Sequence, residues 1–244
     1  MPKSLARMTA RSVVLSVLLG AHPACATASE LVRLTTDFGI REATIRVALT
    51  RMVSAGDLIR SADGYRLSDR LLARQRRQDE AMRPRTRAWR GQWHVVVVTS
   101  VGTDPRTRAG LRNTMYDKRF GELREGVWMR PDNLDLDLAP DVASRVRVLR
   151  ARDDAPAALA GQLWNLTEWA EAGRELLRQI GRATDVPGRF VVAAAIVRHL
   201  NTDPILPGEL LPADWPGAEL RTAYNDFATE LAELRDTTQL QEAT

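Results

Sequence analysis

Arg41-Glu42-Ala43-Thr44-Ile45-Arg46-Val47-Ala48-Leu49-Thr50-Arg51-Met52-Val53 places apolar residues at positions 45, 48, 49, 52 and 53. That is the i, i+3, i+4, i+7, i+8 spacing of a helix with a single buried stripe. A helix is therefore expected over 42–55, ended by Gly56. With that stripe inward, Arg41, Glu42, Thr44, Arg46, Val47, Thr50 and Arg51 face out. Upstream, residues 9–20 and 28–38 read as two more helices, the first opened by Thr9 and the second by Thr27 or Ser29. Gly39 provides the tight turn before the third. Downstream, Asp63-Gly64 lies between two short alternating runs, Asp57 to Arg60 and Tyr65 to Ser68, which is a hairpin signal. Helix, helix, turn, helix, hairpin is the order of a winged helix-turn-helix.

The outward residues suit duplex DNA. Arginine forks onto guanine, glutamate accepts from cytosine, threonine reaches a base or phosphate, and an apolar group touches a thymine methyl. Arg60 and Arg66 on the hairpin are expected along the phosphate backbone or in the minor groove. The alternative is a helical bundle with a solvated charged face. Charge weighs against it: residues 1–90 hold 17 Lys+Arg and 8 Asp+Glu, a net of +9, whereas residues 91–244 carry a net of −5. A basic first third on an acidic body suggests a polyanionic partner.

Residues 69–90 form a connector with eight arginines between Arg70 and Arg90, partly helical and broken at Pro84. They extend the electrostatic footprint or pair with the acidic body. Beyond it, Trp93 to Thr99 is a β-branched run typical of a buried strand. A helix over 106–117 and strands at Val127-Trp128-Met129 and Arg145 to Leu149 complete a small ferredoxin-like α/β sandwich. Residues 156–181, 186–202 and 217–236 read as helices around a proline-rich stretch, Asp203 to Pro216. The expected class is α+β, divided as 1–70 winged helix-turn-helix, 71–90 connector, 91–154 ferredoxin-like domain and 155–244 helical domain.

Several functions are disfavoured. One cysteine, Cys25, leaves no disulfide framework and no Cys-rich zinc site. There is no G-x-S-x-G, Walker A, H-E-x-x-H or G-x-G-x-x-G motif. His22, His94 and His199 are far apart and near no obvious carboxylate pattern. Asp132, Asp135, Asp137 and Asp141 read as a solvated acidic loop rather than a cation site. Lys3, Arg7 and Arg11 before an apolar stretch and Ala24-Cys25-Ala26 resemble a secretory leader; the reading preferred is a buried first helix, in a cytoplasmic protein with no membrane span and no cofactor.

Three stretches resemble the PaaX family of bacterial repressors of phenylacetate-type catabolic operons. They are Arg11 to Gly20 with Gly39-Ile40 and Ile45 to Met52; Trp89-Arg90-Gly91-Gln92-Trp93 with Phe120 to Leu123 and Gly126 to Pro131; and Asp203 to Gly217. The resemblance spans nearly the whole chain. It implies a homodimer with a DNA-binding domain, a central domain similar to Cas2 proteins and a helical C-terminal domain, released from its operator by an aryl-acyl-CoA effector. Arg198 and His199 are the cationic candidates for such a ligand's phosphates, with Trp215 lining a pocket or simply buried in a rigid loop. One departure stands out: the family's His-Glu pair before the Asp-Pro motif is Ala194-Ala195 here. If that pair serves the effector, this chain takes a different one or none. The Cas2 likeness raises a second reading, a metal-dependent nuclease. Thr99 and Ser100 occupy the strand end where its metal-binding carboxylate belongs, and Asp104 is the nearest acid.

Overall fold

Thr9 starts the first helix, its Oγ1 accepting from Ser12 N at 3.2 Å. Helix α1 (Ala10–Gly20) buries Val13, Val14, Leu15, Val17, Leu18 and Leu19, so the leader-like apolar run is core. In this computed structural model, residues 9–36, 38–62, 64–100 and 104–242 are described. Lys3 and Arg7 of the leader-like stretch, and Asp63 of the expected turn, lie outside them. The chain divides into two units: residues 1–82, 174–201 and 218–244, and residues 83–173 and 202–217.

In the first unit, β1 (Cys25–Ala26) leads into α2 (Ala28–Thr36). Thr27, not Ser29, opens α2. Its Oγ1 accepts from Glu30 N at 3.1 Å while Glu30 Oε2 accepts from Thr27 N at 2.7 Å, a capping box. Gly39 turns the chain at φ +64°, a region that costs other residues roughly 1–2 kcal/mol. Helix α3 (Glu42–Ser54) follows, with Ile45, Leu49 and Met52 buried and Ala48 and Val53 half-buried. It packs on both α1 and α2. Strands β2 (Leu58–Ser61) and β3 (Gly64–Leu67) form the hairpin, and β1 adds to β3 in a three-stranded sheet of order β1-β3-β2. Helix α4 (Asp69–Met82) takes in much of the stretch read as a connector and buries Leu71, Gln75 and Gln78. Gln75 Nε2 donates to Leu19 O at 3.1 Å and Ala21 O at 2.8 Å, satisfying carbonyls that the end of α1 leaves without helical partners.

The second unit builds a four-stranded antiparallel sheet from β4 (Trp93–Val98), β5 (Gly121–Arg124), β6 (Val127–Pro131) and β7 (Val146–Ala151), ordered β5-β6-β4-β7. Helices α5 (Pro105–Asp117) and α6 (Pro140–Ala143) make the β-α-β-β-α-β order of a ferredoxin-like sandwich. Val96, Phe120 and Trp128 pack with Met115 and Val142 of these helices, and Trp93 and Met129 pack with Leu159, Leu206 and Leu210.

Two expectations are corrected here. The single helix over 156–181 is two, α7 (Pro156–Leu163) and α8 (Leu166–Arg182). Trp164 leaves helical geometry at φ −137°, ψ 141° to stack on Trp93, 6.5 Å between centroids. Asn165 Oδ1 then caps the new helix by accepting from Glu168 N at 3.2 Å. The tertiary contact of this half-buried indole with Trp93 outweighs continuous helix propensity. The histidines, second, are not remote from carboxylates. His94 Nε2 lies 2.8 Å from Asp132 Oδ1, and His22 Nε2 lies 3.1 Å from Asp79 Oδ2. Sequence separations of 38 and 57 residues hid both pairs.

Asp132 also pairs with Arg87 and, at 3.7 Å, with Arg150. Arg130 is buried, its Nη2 donating to Leu134 O at 3.0 Å and Asp135 O at 2.8 Å, with its guanidinium 5.0 Å from the Phe120 ring. Burial pulls its pKa down to about 10, so it remains charged at neutral pH. The acidic loop is thus an ion-pair hub, and among the described residues no group of three His, Cys, Asp or Glu is placed to hold a metal. In the first unit, α9 (Val186–Leu200) and α10 (Gly217–Glu242) share a core with the winged helix through Phe190, Ala193 and Phe227.

Candidate nucleic-acid interface

Helix α3 is half core and half exposed surface. Its buried stripe fixes the rotation about its axis, and that rotation leaves Arg41, Glu42, Thr44, Arg46, Val47, Thr50 and Arg51 exposed. Val47 is 50% exposed, an apolar group held out in water at the centre of a polar row. Arg46 Nε donates to Glu42 Oε1 at 2.7 Å, the i, i+4 pair of a helix surface. Thr50 Oγ1 donates to Arg46 O at 3.1 Å. Arg41 is the N-cap and offers no side-chain cap, while Glu42 in the first turn complements the positive end of the helix. Among the described residues, Arg41 and Arg51 have no ion-pair or hydrogen-bond partner for their side chains. Both are fully available to an anion.

The hairpin arginines are exposed, but they do not share a face. Arg60 pairs in register with Tyr65, and Arg66 with Ile59. Successive strand residues alternate sides, so Arg60 lies with Leu58, Leu67 and Tyr65, and Arg66 lies on the opposite side with Ile59.

One positioning residue escaped the sequence reading. Asp57, 2% exposed, accepts from Arg11 Nε and Nη2 at 3.1 and 2.8 Å and from Arg70 Nη2. Its own N–H donates to Met52 O at 2.9 Å and its carbonyl accepts from Ser68 N at 3.0 Å. The start of α1 and the start of α4 therefore meet on one carboxylate, while the backbone of the same residue ties the end of α3 to the base of the hairpin. An aspartate after a helix-ending glycine is the only local signal, and it is common to many turns.

The candidates for a small ligand are distributed over both units. Arg198 is exposed and lines a cavity of the first unit, and His199, next on α9, is half-buried. Trp215 belongs to the second unit, stacked on Trp169 with centroids 4.2 Å apart and planes at 10°. Asp203, buried beneath the same loop, accepts from Ile205 N at 2.9 Å, and Asn133 Nδ2 donates to Ile205 O at 2.8 Å. Asp104 Oδ1 accepts from Arg106 N and Thr107 N as the N-cap of α5; hydrogen bonds from Thr107 hold its carboxyl below the usual range. No helix among the described residues is long and apolar enough to cross a membrane.

Three family models match successive parts of the chain. One described as a PaaX-like protein covers residues 9–71, one described as the PaaX protein central Cas2-like domain covers 86–158, and one described as the PaaX-like protein C-terminal domain covers 164–238. The transcriptional repressor PaaX of Escherichia coli (strain K12) is 29% identical in an alignment of 223 residues that covers 78% of this chain and 69% of that relative. Among solved structures, the uncharacterized protein Rv0674 from Mycobacterium tuberculosis is 77% identical, with a TM-score of 0.85 over 95% of this chain and 99% of that one.

Proposed function

The chain belongs to the PaaX family, and we propose that it is a transcriptional repressor that reads a specific DNA operator with the outward face of α3. The observation that carries this is the exposed row Arg41, Thr44, Arg46, Val47, Thr50 and Arg51 on a helix whose other stripe is buried. Donors, acceptors and one apolar group at the N-terminal half of such a helix are what major-groove readout requires. Arg60 and Arg66 add phosphate contacts from the hairpin. The name of the E. coli relative agrees with repression.

The protein acts in the cytoplasm as a homodimer on a pseudo-palindromic operator of a catabolic operon, and a small acyl-CoA-like effector releases it. Self-association through the central unit is favoured by β7, which ends its sheet with Val148 and Leu149 exposed at 39% and 50%. A long edge strand with apolar side chains in water is a pairing surface. Asp104, the nearest acid for the nuclease reading, is engaged in capping α5, and we read the protein as non-enzymatic.

Fluorescence anisotropy with labelled duplexes from the region upstream of the gene tests the proposal. Saturable binding is expected that prefers one fragment and weakens steeply with salt as counterions return to the phosphates. Folded protein with no preference for any duplex at low salt would overturn it.

A further inference from the structure

A cavity of about 470 Å³ lies within the first unit, a size typical of small-molecule sites, which run from roughly 300 to 1,000 Å³. Its apolar wall includes Val17 of α1, Val197 of α9 and Phe227 and Leu231 of α10. Small residues keep it open: Ala194 faces it, and a methyl group built on Gly20 would come only to 3.5 Å from Tyr224 Oη. An apolar body seated against these side chains gains dispersion contacts with them.

Among the described residues that line the cavity the charges are of one sign, and none is acidic. Arg74 of α4 and Arg198 of α9 are exposed at it, and among the described residues neither has an ion-pair or hydrogen-bond partner. His22 is already held by Asp79, and the hydroxyl of half-buried Tyr224 is paired with Gln78. Two guanidiniums beside an apolar wall match a ligand that is apolar at one end and anionic at the other.

We propose that this cavity binds an amphipathic organic anion, its apolar body against Val17, Phe227 and Leu231 and its carboxylate or phosphate group on Arg74 and Arg198. The proposal rests on the effector-release reading in one respect: α1 walls the cavity and packs on α3, so occupancy reaches the helix that faces DNA. Trp215, in the other unit, is not among the lining residues.

Calorimetry on the full chain without DNA tests the site, with decanoate, decanoyl-coenzyme A and uncharged 1-decanol as titrants. At least one of the two anions is expected to bind, with 1-decanol at least tenfold weaker. An Arg74→Gln/Arg198→Gln double variant should weaken that anion at least tenfold at an unchanged melting temperature, and Ala194→Trp should abolish its binding. The anion that loses affinity in the double variant is the source of the recognised group, a free carboxylate or a coenzyme A thioester. Absence of binding by both anions, equal affinity in the double variant, or 1-decanol binding as tightly as the anions would each overturn the proposal. Because the double variant changes only exposed side chains, it decides the matter even if Ala194→Trp fails to fold. A protein that binds duplex but neither anion defeats this site alone; one that binds an anion but no duplex defeats the proposed function and leaves the site standing.

Discussion

The Asp57 carboxylate, almost wholly sealed from water, accepts two hydrogen bonds from one guanidinium, Arg11 Nε and Nη2 at 3.1 and 2.8 Å. This fork ties the start of α1 to the turn between α3 and β2, where the hairpin begins. Charged hydrogen bonds of this kind contribute about 1.5–3 kcal/mol each when the acceptor is shielded. Asp57→Asn keeps the shape but loses the charge, and it should destabilise the first unit by about 1–3 kcal/mol. Urea unfolding measures this; an unchanged midpoint would mean that the fork contributes nothing.

Arg46 must leave Glu42 to reach a base. Arg46→Ala should therefore cost about 1–3 kcal/mol of operator discrimination, the worth of one bidentate base contact. Folding stability should shift by less than about 0.5 kcal/mol, since an exposed i, i+4 pair is worth little. Anisotropy titrations against operator and scrambled duplexes separate the two effects, and full retention of specificity would remove Arg46 from the reading face.

Two glycines with positive φ should respond unequally to alanine. At Gly64, φ is +117° and an added Cβ would fall 2.5 Å from Ala26 O, a backbone atom of the neighbouring strand that cannot move away cheaply. At Gly39, φ is +64° and the Cβ would meet nothing within 4 Å. Gly64→Ala is expected to cost at least about 2 kcal/mol and Gly39→Ala about 1 kcal/mol, the left-handed penalty alone. Chemical denaturation of both variants checks the order; the reverse order would contradict the register of β1 on β3.

Acidification should weaken the second unit. Burial holds the His94 imidazole below its ordinary 6.5 although Asp132 pulls the other way. Nδ1 is buried with no partner, which fits a neutral ring donating from Nε2 to Asp132. The unfolded chain then takes up this proton first, so stability from His94 is whole above about pH 6.5 and drains as pH falls from there through the folded-state value. Burial would lift the Asp132 carboxyl, but Arg87 and His94 outweigh it and hold the group below the usual range, which adds a further loss at lower pH. The melting temperature should drop between pH 7 and 5, and His94→Gln should flatten that slope. An identical slope in the variant would place the titration elsewhere.

Leu149→Glu puts a charge on the open edge of the central sheet, where Leu149 pairs with Val95 across β7 and β4. Like charges facing across a two-fold pairing would repel. Light scattering after gel filtration should show a dimer for the wild type and a monomer for the variant, with the melting transition retained. A dimeric variant would move the interface away from β7.

Much of the fold was legible because its signals are local. The stripe Ile45, Leu49, Met52 and the capping residue Thr9 declare themselves within one or two helical turns, and the run Trp93 to Val98 does so through β-branching. The exposed row on α3 followed directly, since a helix with one buried stripe leaves its complement outside. The break at Trp164 was not legible, because it answers to Trp93, 71 residues upstream in sequence and 6.5 Å away in space. Opposed faces for Arg60 and Arg66 required the register of the hairpin, which composition does not reveal.

By itself, then, the amino-acid order determined most of the helices, the strand that begins at Trp93, and which side of α3 meets solvent, because periodicity and capping act over a few residues. The tertiary structure alone decided that Arg11 and Asp57, or Arg74 and Arg198, would serve one place. Charges far apart along a chain find each other only through packing of the apolar core between them, and that packing depends on the shapes of all its members at once.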